Sequence, residues 1–159
     1  MSDLMEGYVN LLVEINQRIR SAQYEALKAV NKELIAPYWD IGHLIVARQQ
    51  GQTWGKSIVQ QLTKDLQVEF SGVSGYLAAN LWRMKLFYES YVANAKLAPL
   101  VREISWSHNM AILEKCKDEL EREFYIRMTR KYGWTKNVLI HQVENQTYEK
   151  TALHNRGMN

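Results

Sequence analysis

Apolar residues recur at steps of three and four along the first fifty positions, which is the spacing of one helix face. The stripe consists of Leu4, Tyr8, Leu11, Leu12, Ile15, Ile19, Ala22, Ala26, Ala29 and Val30, and its register resumes at Leu34, Tyr38, Ile41, Leu44 and Ile45. Pro37 removes a backbone donor and crowds the preceding turn, so it predicts a kink or a split. A helical element of roughly 60 Å exceeds the width of a domain this size. We therefore expect a long kinked N-terminal helix that also packs against a partner, most simply in a homo-oligomer.

Two shorter helices are predicted next, over about residues 55–91. The first carries apolar residues at helical spacing from Ile58 to Leu66, and the Ser71–Gly75 stretch then interrupts the pattern. The second carries Leu77, Leu81, Met84, Tyr88 and Tyr91 on one stripe. Two short helices joined by a glycine-containing turn are typical of a helix-turn-helix.

The remaining pattern is also helical. Residues 92–103 read as a connection, and Ser105 or Ser107 is a suitable N-cap for a helix whose periodicity continues to Tyr132. Gly133 ends that helix, and Thr135 is the expected cap of the last one. The pattern predicts an all-α fold of five to seven helices, with one domain over residues 1–150 and a frayed tail over 151–159.

Composition agrees with one globular domain that has a real core. Among 159 residues, 47% are hydrophobic and 23% charged, and only 8 Gly and 2 Pro occur, which argues against an all-β sandwich. Cys116 is the single cysteine, so an internal disulfide and a cysteine-rich zinc site are excluded and a reducing, cytoplasmic location is expected. We find neither a membrane-spanning apolar run nor a signal-peptide pattern, and we expect no membrane partner. The net charge of +3 is compatible with a nucleic-acid partner without requiring one.

Residue patterns typical of enzyme active sites are missing from the sequence. It has no glycine-rich phosphate loop, and its four histidines are scattered without metal-ligand spacing. Ser107 and His108 are adjacent, which suits a helix cap and a surface histidine better than a nucleophile and its base. We therefore predict no catalytic residue, no metal site and no cofactor, and we expect that this chain alone is not an enzyme.

Several segments resemble one known family in order along the chain. They are the run from Ser21 to Ile35, Tyr38-Trp39-Asp40-Ile41-Gly42, Trp54-Gly55-Lys56 with Val59 and Leu62, the turn-to-helix segment from Ser74 to Leu81 with Met84, Phe87 and Tyr88, Ile104-Ser105-Trp106-Ser107-His108, Lys117-Asp118 with Glu121-Arg122-Glu123-Phe124-Tyr125, and Gly133-Trp134. Together they cover roughly residues 8–150 and resemble the N-terminal domain of the YhcG family of proposed bacterial nucleases. Pro37 departs from the family pattern, which brings an uninterrupted first helix into question.

The resemblance implies a helical DNA-binding part that is followed, in the family, by a nuclease domain of the PD-(D/E)xK class. This chain contains no Pro-Asp dipeptide and neither Glu-x-Lys nor Asp-x-Lys, so the acid and lysine of that motif are missing. The resemblance therefore implies a non-catalytic module that positions a separate or missing nuclease domain.

The sequence leaves two functional hypotheses open. In the first, the chain binds DNA with the third helix as its recognition element. The predicted contacts are Lys56 and Ser57 at the start of the second helix, and Asn80, Arg83 and Lys85 on the third. In the second, the chain is an oligomerisation or protein-interaction module without direct DNA contact, and Trp82 with Leu86 forms its interface. A third interpretation of Trp82 and Leu86 involves no partner: both side chains are buried because the third helix lies between two layers of the same core.

Overall fold

The computed structural model describes residues 2–50 and 56–157, and this part of the chain is entirely helical. It contains seven α-helices, as the sequence pattern predicts: α1 (Asp3–Gln49), α2 (Lys56–Glu69), α3 (Ala78–Tyr91), α4 (Trp106–Lys115), α5 (Glu119–Tyr132), α6 (Lys136–Glu144) and α7 (Thr147–Gly157). Two single turns of 3-10 helix, Ser74–Tyr76 and Val101–Glu103, lie in the connections before α3 and α4.

Helix α1 divides into two halves with different surroundings. Every residue from Ser2 to Gln23 is exposed, whereas the buried residues of α1 begin at Asn31 and end at Ile45. Its 47 residues correspond to about 70 Å at 1.5 Å per residue, so the first half extends away from the remaining helices. The globular part of the domain is therefore built on the second half of α1.

Pro37 does not interrupt α1: of the predicted kink or split, the split does not occur, because the helix is continuous from Asp3 to Gln49, and the kink stays a prediction. A proline inside a helix leaves the carbonyl four residues earlier without its usual donor. Pro37 is exposed, and the carbonyl of Glu33 can then bind water instead.

The core consists of two connected groups of buried side chains. The larger group joins α1, α3, α4, α5 and α6 through residues such as Ile35, Phe87, Ile112, Tyr125 and Leu139. A smaller group holds α2 against α1 and α3, through Ile45, Val59, Leu81 and Met84. Helix α3 contributes to both groups, so it forms the centre of the domain.

The predicted helix pair over residues 55–91 consists of α2 and α3, with residues 70–77 between them. Gly72 has a φ of 84°, a left-handed conformation that favours glycine, and it lies in the turn after α2, where the Val73 amide donates to the Phe70 carbonyl. The connection also contains the 3-10 turn Ser74–Tyr76, so it is longer than the three or four residues typical of a helix-turn-helix.

The structure corrects one predicted boundary in the second half of the chain. The helix expected to run from residue 105 to Tyr132 is two helices, because the Asp118 carboxylate accepts a hydrogen bond from the Glu121 amide and starts α5 anew. The tail predicted over residues 151–159 is helical as far as Gly157, and residues 158 and 159 lie outside the described residues, so its fraying stays a prediction. There the Tyr148 amide donates to the Tyr125 hydroxyl (3.1 Å) and anchors the first turn of α7.

Candidate nucleic-acid interface

The predicted DNA contacts do not lie on one surface. Ser57 is exposed in the first turn of α2, as a phosphate contact requires. The side chain of Lys56 and the preceding Trp54-Gly55 lie outside the described residues. The other three predicted residues belong to α3, where they point in two directions.

Arg83 and Leu86 project from α3 on the side that faces α4. Both are exposed, and both line a groove between α3, α4 and α6. Trp82 and Lys85 lie on the side of α3 that faces α2. Trp82 is half-buried against the smaller core group, and the Lys85 ammonium lies 5.4 Å from the centre of the Trp82 ring. The Glu89 carboxylate lies 3.9 Å from the same ammonium. The Trp82 ring is thus largely used in packing within the domain.

The amide of Asn80 is bonded at both ends within the protein. Its NH2 group donates to the Gly75 carbonyl (2.6 Å), and its oxygen accepts from the Trp106 indole (2.9 Å). Asn80 also lines the groove described below, and these two bonds fix the orientation of its amide, which favours a positioning role. Asn80 fixes the turn before α3 and the first residue of α4.

The groove between α3, α4 and α6 brings together basic residues that are distant in the sequence. It has a volume of about 620 Å³, and its basic side chains are Arg83, Lys115, Lys117 and Lys136. Glu114 is its single acidic residue. Leu86, Met110 and Ile140 supply apolar surface between the charges. The groove therefore combines positive charge with an apolar floor.

Helix caps orient two walls of the groove. Ser105 caps α4, because its hydroxyl accepts from the His108 amide (3.1 Å), and Thr135 caps α6 through the Val138 amide (3.2 Å). The first turns of these helices, at Ser107 and Lys136, both line the groove. Helix N-termini carry partial positive charge, which adds to the basic side chains.

His108 holds the two walls together. Its Nδ1 lies 2.5 Å from the Ser105 hydroxyl and its Nε2 lies 2.6 Å from the Trp134 carbonyl, so Nε2–H donates and Nδ1 accepts. Burial lowers the pKa of His108 below its ordinary value, which favours this neutral form. The prediction of a surface histidine is wrong, because the ring is half-buried between α4 and the turn before α6.

The charges of the groove are only weakly compensated within the described part of the chain. Lys115 lies 4.0 Å from Glu144, a distance at which an exposed pair contributes little. The Lys117 ammonium donates to the Leu113 carbonyl (3.2 Å) at the end of α4. No carboxylate of the described residues lies within 4 Å of the charged groups of Arg83, Lys117 or Lys136.

Sequence reasoning missed the three lysines of the groove. Lys115 and Lys117 lie in a run of mixed charge, which predicts a solvated face, and Lys136 is one basic residue at a helix start. Only the packing of α4 against α3, and of α6 against α4, brings them near Arg83.

The described residues contain neither a cluster of metal ligands nor a membrane-spanning helix. No three His, Cys, Asp or Glu side chains among residues 2–50 and 56–157 come together as metal ligands would. No described helix is long and apolar enough to span a bilayer.

The fold and the groove define a class: an all-α domain with a basic, partly apolar groove on one side. The chain belongs to the family described as the DUF1016 N-terminal domain, whose model matches residues 14–150. That match confirms the family predicted from the sequence.

A curated relative extends the comparison. The chain is 27% identical over 184 aligned residues to the Escherichia coli (strain K12) protein named "Putative nuclease YhcG". The alignment covers 92% of this chain and 47% of that protein, so the chain spans about half the length of the relative. No solved structure matches the chain.

Proposed function

We propose that this domain is a non-catalytic DNA-binding module that positions a nuclease domain, supplied by another part of the protein or by another chain. The observation that carries the proposal is the groove lined by Arg83, Lys115, Lys117 and Lys136. A second, weaker support is the name of the relative, because a nuclease acts on nucleic acid and this chain matches only half of that protein.

The groove is suited to a phosphate backbone. Four basic side chains face one acidic residue, and the first turns of α4 and α6 add backbone donors and positive helix ends. Its apolar surface at Leu86, Met110 and Ile140 can contact sugars or unpaired bases. Compared with the sequence-based hypothesis, the proposed contact surface is the side of α3 that faces α4: it retains Arg83 of the predicted DNA contacts and adds Leu86, which the sequence analysis assigned to a protein interface.

Fluorescence anisotropy with labelled duplex, single-stranded and branched DNA tests the proposal. Binding should weaken with salt, with a slope of about −3 to −4 in log K against log [salt] if all four basic residues neutralise phosphates of duplex DNA. Arg83→Ala and Lys117→Ala should each weaken binding and make that slope less steep by about one unit. No binding at low salt by the folded domain would refute the proposal.

Lys85→Ala is the matched control. It removes the same charge from the same helix, two positions from Arg83, but on the side of Trp82 and α2. We expect it to retain nearly all of the affinity. If Lys85→Ala weakens binding and Arg83→Ala does not, the DNA lies on the side of α3 that carries Lys85 and not in the groove. A loss in both variants is the result that the sequence-based helix-turn-helix hypothesis predicts.

A further inference from the structure

The first half of α1 is an unpartnered helix with an organised apolar face. All residues from Ser2 to Gln23 are exposed, and the described part of the chain does not cover them. Six large apolar side chains on one stripe are 43–87% exposed. They are Leu4, Tyr8, Leu11, Leu12, Ile15 and Ile19. A stripe of this kind on a soluble helix marks an interaction surface.

The stripe faces away from the globular part of the domain. At 100° per residue, Leu4, Tyr8, Ile15 and Ile19 lie within about 60° of one another around the helix. The residues that bury α1 against the core, from Asn31 onward, fall on roughly the opposite side. A second helix can therefore lie along the stripe without displacing α3 or α5.

The spacing of the apolar residues in the stripe indicates what kind of surface can pack against it. Leu4, Tyr8 and Leu11 are followed eleven residues later by Ile15, Ile19 and Ala22, and then by Ala26 and Val30. An eleven-residue repeat keeps one face of a nearly straight helix toward a neighbouring helix. The partner surface is thus another long helix rather than a compact pocket.

The charges along α1 favour an antiparallel second copy. Residues 3–14 contain Asp3, Glu6 and Glu14 and no basic residue. Residues 15–32 contain four basic residues, Arg18, Arg20, Lys28 and Lys32, against one acidic residue, Glu25. Antiparallel pairing places the acidic end of each copy beside the basic end of the other, whereas parallel pairing places like charges together.

We infer that two copies of this chain associate through the first half of α1, antiparallel, along the stripe from Leu4 to Ile19. The twelve large side chains of the two copies expose roughly 100 Å² each, so their complete burial would reach the lower limit of about 1,200 Å² for a specific interface. The pair would hold two globular parts, each with its groove, at opposite ends of the shared helices. The inference is independent of whether the groove binds DNA.

Analytical ultracentrifugation of the whole chain over a wide dilution range is the first test, with a matched pair of variants. Ile15 and Val13 have nearly equal exposure, 47% and 49%, but Val13 lies on the other side of the helix from the stripe. The wild type and Val13→Glu should form dimers, whereas Ile15→Glu should be monomeric at the same concentrations. Equal helicity of the two variants by circular dichroism excludes misfolding as the cause.

Pulsed electron paramagnetic resonance then tests the orientation, using a spin label at Leu4→Cys in a chain whose native Cys116 is buried. If Leu4 lies level with Ile19 of the partner, the two labelled backbones are 15 residues apart along the axis, about 22 Å. Longer overlaps increase that distance. A separation near the 8–10 Å between packed helix axes would show a parallel pair and overturn the inference. A monomeric wild type, or loss of the dimer in Val13→Glu alone, would overturn it as well.

Discussion

Helices α1 and α3 approach closely at Gly42, and adding one methyl group there should destabilise the fold. Gly42 is buried where α1 crosses α3. A Cβ at this position would lie 2.2 Å from the Met84 carbonyl oxygen, 2.8 Å from its carbon and 3.0 Å from Tyr88 Cβ. Two of these atoms are backbone, so no side-chain rotation relieves the overlap. Gly42→Ala must therefore separate α1 from α3 by about 1 Å.

The magnitude follows from two opposing effects. Overpacking of a core costs about 1–3 kcal/mol, and replacing glycine by alanine inside a helix returns about 1 kcal/mol. Because the overlap involves backbone, we expect the upper part of the packing range and a net loss of about 1–2 kcal/mol in the free energy of unfolding. For a chain of this length that corresponds to a fall in Tm of roughly 2–8 °C.

Gly7→Ala is the control for this prediction, because Gly7 belongs to the same helix and a Cβ added there would have no atom within 4 Å. It gains helix propensity without a clash, so its Tm should equal or exceed that of the wild type. Urea unfolding followed by circular dichroism measures both variants. A Gly42→Ala chain as stable as Gly7→Ala would refute this packing of α1 on α3.

Two further predictions concern buried ionisable groups. The pKa of His108 is below its ordinary value of 6.5 because of burial, so the unfolded chain binds more protons just below that pH. Stability should therefore fall as pH drops below about 6.5, and His108→Gln should flatten this dependence between about pH 5 and 7; an unchanged slope would contradict the assignment. Burial opposes ionisation of Glu103, but hydrogen bonds from Arg130 and Lys32 outweigh it and lower the pKa of Glu103. Glu103→Gln should cost about 1–3 kcal/mol at neutral pH, measured by urea unfolding, and its deficit should shrink on acidification as the wild-type carboxylate is protonated. A deficit independent of pH would contradict the role of this ionised group.

Helix ends were predictable from the sequence where a single capping or terminating residue determines them. Gly133 has a φ of 63° and ends α5, and Thr135 caps α6, as expected. The continuous helix through Pro37 was not predictable from propensity, because it depends on the exposure of that residue. The break at Cys116-Lys117 was hidden by an apolar periodicity that passes through it, and the Asp118 cap was the signal that could have revealed it.

The candidate site was less predictable, since it depends on how helices pack. Helix α3 presents Trp82 and Lys85 to α2, and it presents Arg83 and Leu86 to α4. The periodicity of the sequence does not predict which of these two helices packs on which side of α3. Lys136 joins the groove because α6 packs against α4, and His108 ties the turn at Trp134 to the start of α4. Such contacts between distant segments leave no pattern at fixed spacing.

The most direct measurement of DNA binding by the groove is a titration of the isotope-labelled domain with a short DNA duplex, followed by NMR of the backbone amides. We predict shifts concentrated around Arg83, at Ser107, from Lys115 to Lys117 and at Lys136, and these shifts should diminish as salt is raised. Shifts confined to the start of α2 at Ser57 and the side of α3 that carries Lys85, or no shifts at low salt, would contradict binding in the groove.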